Sequence, residues 1–396
     1  MFPFFWRLIS LAIALGGISL SARAADGDTF TPYAFATMTH DSNLLRIDSA
    51  ASGANPADTL RQAGAGLNVD WKVARQQLLL TAAVNQNRFE RYSMLDYTGR
   101  DLRGIWNWQL DGNLSGDLGY TNNRALGSFA DQQSLVSNLR VQERGFFDGF
   151  WSFHPSWQVG AGVSKYKLTY PNFLQRTNNR EDDVWETSLR YMSSARNRVG
   201  IKLRETNGRY PNQGLDFVNL FDNGYRQREV LATLDWADSG RSQFQGQAGT
   251  VQRMHNHFAS RNYSDVTARG AYTWVATGHT TLTASAWREI WAYDDLATSY
   301  SRNRGIALEP KWLPSSKLTL SARVVREQRD FLGDPGVLLF APARRDVVAA
   351  RDVALTYQPA RSFSVKASAG VERRDSNLPL LSYYSKMVSI SATLQL

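Results

Sequence analysis

Residues able to do chemistry are few in this chain. It holds five histidines and no cysteine. His255 and His257 flank Asn256, a spacing that on a strand puts both imidazoles on one face, where a third ligand would complete a metal site. In a polar loop the same triplet is ordinary solvated sequence. His154 and His279 fall in short turn phrases, and no Gly-x-Ser-x-Gly nucleophile phrase occurs. Glu181-Asp182-Asp183 and Asp294-Asp295 offer hard oxygen ligands to a divalent cation such as one bridging lipopolysaccharide, but such runs are more commonly loop charges. No triad and no metal set assembles, so the expectation is a protein that is not an enzyme and carries no cofactor.

A second set of residues is defined by period rather than by motif. Arg103, Arg190, Lys202, Arg204, Arg269, Lys311, Arg323 and Lys366 lie on the polar face of alternating segments, together with Asp70, Glu186, Asp235, Glu309 and Glu372. Trp151 and Trp287 are assigned to the same face. If that face lines a pore, surplus positive charge favours anions, whereas cations paired across strands only keep the pore hydrated. The two indoles would stack on sugar faces or pack against neighbouring side chains.

The elements that position these residues are written in a recurring phrase. "WKVARQQL" from Trp71, "WQLDGNL" from Trp108, "FHPSWQV" from Phe153, "YMSSARNRV" from Tyr191, "WADSGRSQF" from Trp236, "WVATGHTTL" from Trp274, "WLPSSKLTL" from Trp312 and "YQPARSFSV" from Tyr357 recur every 37 to 45 residues. Each is an aromatic, a short break and a new alternating run. In "SFSVKASAGVE", Phe363, Val365, Ala367, Ala369 and Val371 share one face, and Ser364, Lys366, Ser368, Gly370 and Glu372 the other. Strict alternation predicts strands with one apolar and one polar face.

Pro155, Pro314 and Pro359 are expected inside the short turns, and Pro171, Pro211, Pro335 and Pro342 in longer connections, because a mid-strand position cannot spare its N–H. Pro310 is the exception, placed at a bulge. Eight hairpins, with Asp28 to His40 before them and Lys386 to Leu396 after, make eighteen strands. A propeller has a similar repeat length but four strands per blade, and its inner face would need large residues. Here the apolar face is rich in Ala and Gly, which suits lipid, and the recurrent aromatic becomes a girdle at one membrane interface. The expected fold is an all-β, antiparallel up-and-down barrel of about eighteen strands in the outer membrane of a Gram-negative bacterium. Both termini and the short turns face the periplasm, and the surface loops fall at Arg46 to Asp58, Leu126 to Ser137, Pro171 to Asp182, Pro211 to Arg226 and Leu332 to Asp346.

Composition fits this reading. The 396 residues are 43% hydrophobic with a net charge of +9. The one long apolar run, Leu8 to Leu20, follows Arg7 and precedes Ala22-Arg23-Ala24, as in a secretory signal occupying 1–24 and removed on export. Residues 25–396 then form a single barrel domain with no preceding plug, keeping a surplus of positive charge. A basic balance can mean nucleic acid, an anionic surface or an anionic ligand, and export from the cytoplasm argues against nucleic acid as a partner.

The stretches "THDSNLLRI", "FERYSMLDYTGRDLRGIWNWQLDGNLSGDLGY", "AWREIWAYDDLATSY" and "KLTLSARVVREQRDFLGDP" resemble the EpsL-type outer-membrane proteins of exopolysaccharide operons, barrels associated with exosortase B gene clusters. The similarity runs through essentially the whole mature chain. It implies a passive conduit with a wide, wet, net-positive lumen for an exopolysaccharide chain. The partners it implies are lipid bilayer and lipopolysaccharide, the outer-membrane assembly machinery and periplasmic export components. The resemblance carries no functional residues over. Leu396 stands where most such barrels end in an aromatic. Two rivals remain: a general diffusion porin or small-sugar channel, and a surface protein that anchors polysaccharide through its loops.

Overall fold

The computed structural model describes residues 29–48, 56–130, 136–195, 197–238, 240–293, 295–338 and 342–396. The expected signal at 1–24 lies outside them, as does Asp294. The strands are β1 (Phe30–Asp41), β2 (Asp58–Val73), β3 (Gln76–Phe89), β4 (Tyr97–Leu110), β5 (Leu114–Leu126), β6 (Leu139–His154), β7 (Trp157–Thr169), β8 (Arg180–Met192), β9 (Arg198–Arg209), β10 (Gly224–Asp238), β11 (Ser242–His255), β12 (Tyr263–Thr277), β13 (Thr280–Ala292), β14 (Tyr300–Ser315), β15 (Leu318–Leu332), β16 (Arg345–Ala360), β17 (Phe363–Ser376) and β18 (Tyr383–Gln395).

Each strand pairs antiparallel with the next, and β18 returns to β1 over Tyr33↔Gln395 to Asp41↔Met387. The ladder closes, so no strand edge is left open and nearly every backbone polar group finds its partner within the wall. Only such a closed sheet, or a helix, can stand in hydrocarbon.

All eight turn phrases reverse the chain where the sequence puts them, at one end of the barrel. Ala74 (φ 53°), Asp111 (φ 53°) and Gly240 (φ 69°) take the left-handed conformation that such tight reversals demand. Two prolines depart from expectation. Pro314 and Pro359 belong to the last residues of β14 and β16, where the register shifts between Trp312 and Ser315 and between Tyr357 and Ala360. A bulge leaves a residue unpaired, so the missing N–H does no harm there. Pro310 pairs with Leu282 on β13 but has no partner on β15.

Alternation splits each strand between two faces. On the outer face, the positions from the turn-end aromatic to mid-strand are uncharged: Trp157, Val159, Ala161 and Val163 on β7, Val199, Ile201 and Leu203 on β9, Trp236, Leu234, Ala232 and Val230 on β10, and Leu394, Ala392, Ile390 and Val388 on β18. Many of these side chains are well exposed, including Ile201, Val230 and Val388. That pattern is costly in water and favourable in lipid. Trp71, Phe153, Tyr191, Trp236, Trp274, Trp312 and Tyr357 are exposed on this face at the turn end. Trp108 shares it, half-buried and stacked on Phe147 at 5.8 Å with an interplanar angle of 9°. The sequence-derived girdle is therefore continuous on the outer wall.

Candidate functional site

The inner face carries ion pairs and hydroxyl side chains among a smaller number of inward rings and aliphatic residues. Glu186 on β8 takes Lys202 at 3.6 Å and Arg204 at 2.5 Å from β9, and Arg204 reaches Glu229 on β10 at 3.2 Å. Arg190 lies with its guanidinium 4.8 Å from the Phe150 ring. Arg269 pairs with Glu289 at 2.7 Å and sits 5.9 Å from the Trp287 ring, while Trp287 donates its indole N–H to Glu327 at 2.9 Å. Arg323 pairs with Glu309 at 3.0 Å. Arg103 faces Thr81 and Thr121 across the ladder, Lys311 faces Thr281 and Ser321, and Lys366 faces Thr356 and Ser391.

The eight cations expected on the inner face therefore share it, but they do not form one cluster. They are spread around the ring from β4 to β17, and Lys202, Arg204, Arg269 and Arg323 are each held by an acid from a neighbouring strand.

Two expectations need correction. Trp151 is 54% exposed and shares the outer face with Phe147 and Phe153. Residues two apart on a strand point the same way, so Trp151 joins the girdle and Phe150 takes the inward place. The lumen is also not net positive. Asp101, Asp117, Asp148 and Asp352 add to the inward acids, and on the inner parity acids match cations nearly one for one. The chain's positive surplus lies elsewhere on the strands, outward and near the long connections. Inward Phe146, Phe150 and Asp148, missed in the sequence, follow once the alternation of "FFDGFWSF" is anchored on Phe153.

At the long-connection end several loops fold onto one another and across the wall. Leu45, Phe89, Leu95 and Phe129 form a buried apolar cluster from the β1–β2, β3–β4 and β5–β6 regions. From β17, fully buried Arg374 donates to the carbonyl of Ala130 at 2.6 Å. The β5–β6 connection thus touches a strand that is not its neighbour in the ring. Apolar burial of this kind can hold a loop inward without a disulfide.

The other side of the mouth is held by polar contacts. Asp222 accepts the backbone N–H groups of His257 at 2.6 Å and Phe258 at 3.2 Å, and its other oxygen meets the His257 ring at 3.0 Å. His257 is thereby engaged with the β9–β10 connection, while His255 ends β11 inside the wall. Among the described residues no group of three or more His, Asp or Glu is placed to hold a metal. Glu181 and Asp183 turn outward to Arg209 and Lys165, and Asp182 turns inward to Arg180 and the Tyr225 hydroxyl.

Burial alone would raise the Asp222 carboxyl, but the hydrogen bonds from the His257 ring and from the backbone N–H groups of His257, Phe258 and Gly224 outweigh it and hold it below the usual range. A carboxylate depressed on folding stabilises the loop above its unfolded value and loses that contribution as pH falls through the folded one. The 256–262 connection is therefore expected to gain hydrogen exchange only below about pH 4. Asp222→Asn should raise exchange at neutral pH and flatten the acid dependence. An unchanged profile in the variant would remove Asp222 as the clamp.

No family model and no curated protein matches the chain. Solved structures do. OccK2 (OpdF) of Pseudomonas aeruginosa superposes with a TM-score of 0.51 at 12% identity, covering 93% of this chain and 98% of that one. OccK9 (OpdG) of the same organism gives 0.51 at 12% identity over 93% and 98%. OccK2 in complex with glucuronate gives 0.50 at 13% identity over 93% and 98%. At such identities the likeness is one of fold. The chain has the fold of the eighteen-stranded outer-membrane channel barrels, closed and antiparallel throughout.

Proposed function

We propose that this barrel is a passive outer-membrane channel for saccharide, and that its cargo is an exported exopolysaccharide. The supporting observation is the inner wall, where charges are compensated across neighbouring strands on β8 to β10 and β12 to β15 and hydroxyl side chains flank Arg103, Lys311 and Lys366. A glycan is a hydrated chain of hydroxyls. A wall of paired charges and hydroxyls exchanges hydrogen bonds with it without a deep electrostatic trap, and conduction requires binding weak enough to release. The phrase resemblance to EpsL-type proteins supplies the polymer. In this reading the short turns and both termini face the periplasm, where export components would meet the turns, and synthesis on the inner side drives the chain outward.

An in-frame deletion in the native host tests it, with polysaccharide quantified in periplasm, surface and medium. Polymer trapped in the periplasm is the expected result. Unchanged surface polymer would remove export, and polymer shed into the medium would favour surface anchoring.

The β5–β6 loop reaching across to β17 favours a second reading, a channel for small sugars or sugar acids, and glucuronate in OccK2 gives that reading a probe. Liposomes carrying the purified barrel would then admit glucuronate while the deletion strain exports polymer normally.

A further inference from the structure

We propose that the outward charged collar on β7 to β10, above the apolar belt, is a docking surface for the phosphorylated headgroup of an outer-leaflet glycolipid of the lipid A type. The outer face changes character at one height. Val163 and Trp185 are partners across β7–β8, and Trp185 is opposite Glu205, which is opposite Arg228. One step toward the loops the row reads Lys165, Asp183, Asn207, Arg226. One step further it reads Lys167, Glu181, Arg209. Trp185 is 61% exposed and lies at the opposite end of the belt from the turn-end girdle, at the level where an indole suits a membrane interface.

The five cations of these rows face three acids. Glu181 is shared by Lys167 at 3.6 Å and Arg209 at 2.5 Å, and Glu205 by Arg226 at 3.7 Å and Arg228 at 2.9 Å, while Asp183 takes Lys165 at 3.5 Å. The cations keep about half or more of their side-chain surface exposed. Here the acids preorganise the cations and leave donors pointing outward. Arginine forks suit phosphate oxygens, and acyl chains below such a phosphate would lie on Val163, Leu203 and Val230, all exposed on the same face. Arg304 and Arg345 sharing Asp330 repeat the arrangement on β14 to β16. The proposal rests on the membrane-spanning fold and not on what the lumen carries.

Native mass spectrometry of the purified barrel in detergent tests it, with bis-phosphorylated lipid A and its dephosphorylated form as probes, and a gel-mobility difference between unheated and heated samples as the control for folding. The native chain should prefer the phosphorylated lipid by about tenfold or more, as expected for several charge-assisted contacts. Lys165→Gln/Arg226→Gln/Arg228→Gln should lose most of that preference while keeping its heat-modifiable band. Lys202→Gln/Arg204→Gln, on the inner face, should keep the preference. Equal retention of both lipids by the native chain, an undiminished preference in the outward variant, or displacement of lipid A by a uronic-acid oligosaccharide would each overturn the assignment.

Discussion

In the proposed channel, replacing Glu186 and Glu229 together by Gln should shift conduction toward anions. The two carboxylates hold Lys202 and Arg204 in one inward cluster, and Arg190 lies on the same inner face of β8 without an acid within ion-pair distance among the described contacts. Removing both acids leaves the cations in place and uncompensated. A unit charge about 7 Å from an ion in water is worth roughly RT, so each acid removed should lower cation and raise anion permeability by about threefold each, shifting their ratio by up to about sevenfold at low salt. The effect should fade in molar salt, where screening is complete within a few ångströms. Reversal potentials in planar bilayers under a salt gradient read this directly. A ratio unchanged at low salt would mean that this cluster does not face the ion path, and it would weaken the lumen as the seat of any selectivity.

Much of this wall was legible in the sequence because a barrel strand has to write its environment with period 2. Lipid on one side and water on the other leave no freedom at successive positions, so "SFSVKASAGVE" fixes its own facing. The turn aromatics were legible for the same reason, since an exposed Trp such as Trp71 or Trp312 is tolerated only where lipid meets water. The facing of Trp151 depends on the register next to the shift between Trp151 and His154, which sets it opposite Val159 on the outer wall. The charge of the lumen depends on Asp101, Asp117, Asp148 and Asp352, whose inward parity offsets the inward cations. Pairing such as Arg204 with Glu229 crosses strands far apart in sequence, and only the register brings those residues together. The folding of the loops was not legible at all. Phe129 and Ala130 read as ordinary surface loop, and nothing local says that Arg374 will reach them.

The loops on the other side of the mouth depend on one residue to an unusual degree, and Arg261→Ala should release them. Arg261 is fully buried in the β11–β12 connection. Its guanidinium donates to the carbonyls of Asn219 at 2.9 Å and Leu220 at 2.5 Å in the β9–β10 connection, and of Asp295 at 2.9 Å and Thr298 at 3.2 Å in the β13–β14 connection. It also lies 5.0 Å from the Phe221 ring. From Ser299 the chain of contacts continues to Gly333 through a 2.7 Å hydrogen bond, so three loops are tied through this side chain to a fourth. Each buried carbonyl left without a donor costs about 1–3 kcal/mol, reduced where water enters. The loss is local, because the strand ladder does not use these groups. Hydrogen exchange around Leu220 and Thr298 should rise by orders of magnitude, while the heat-modifiable shift of the barrel stays. Single-channel current should become noisier as the mouth loosens. Arg261→Lys should recover little, since one ammonium cannot span carbonyls from two loops. Exchange unchanged at both loops in the Ala variant would show that they are held by the wall beneath them, and the mouth would then be a rigid part of the channel rather than a set of loops pinned by a single guanidinium.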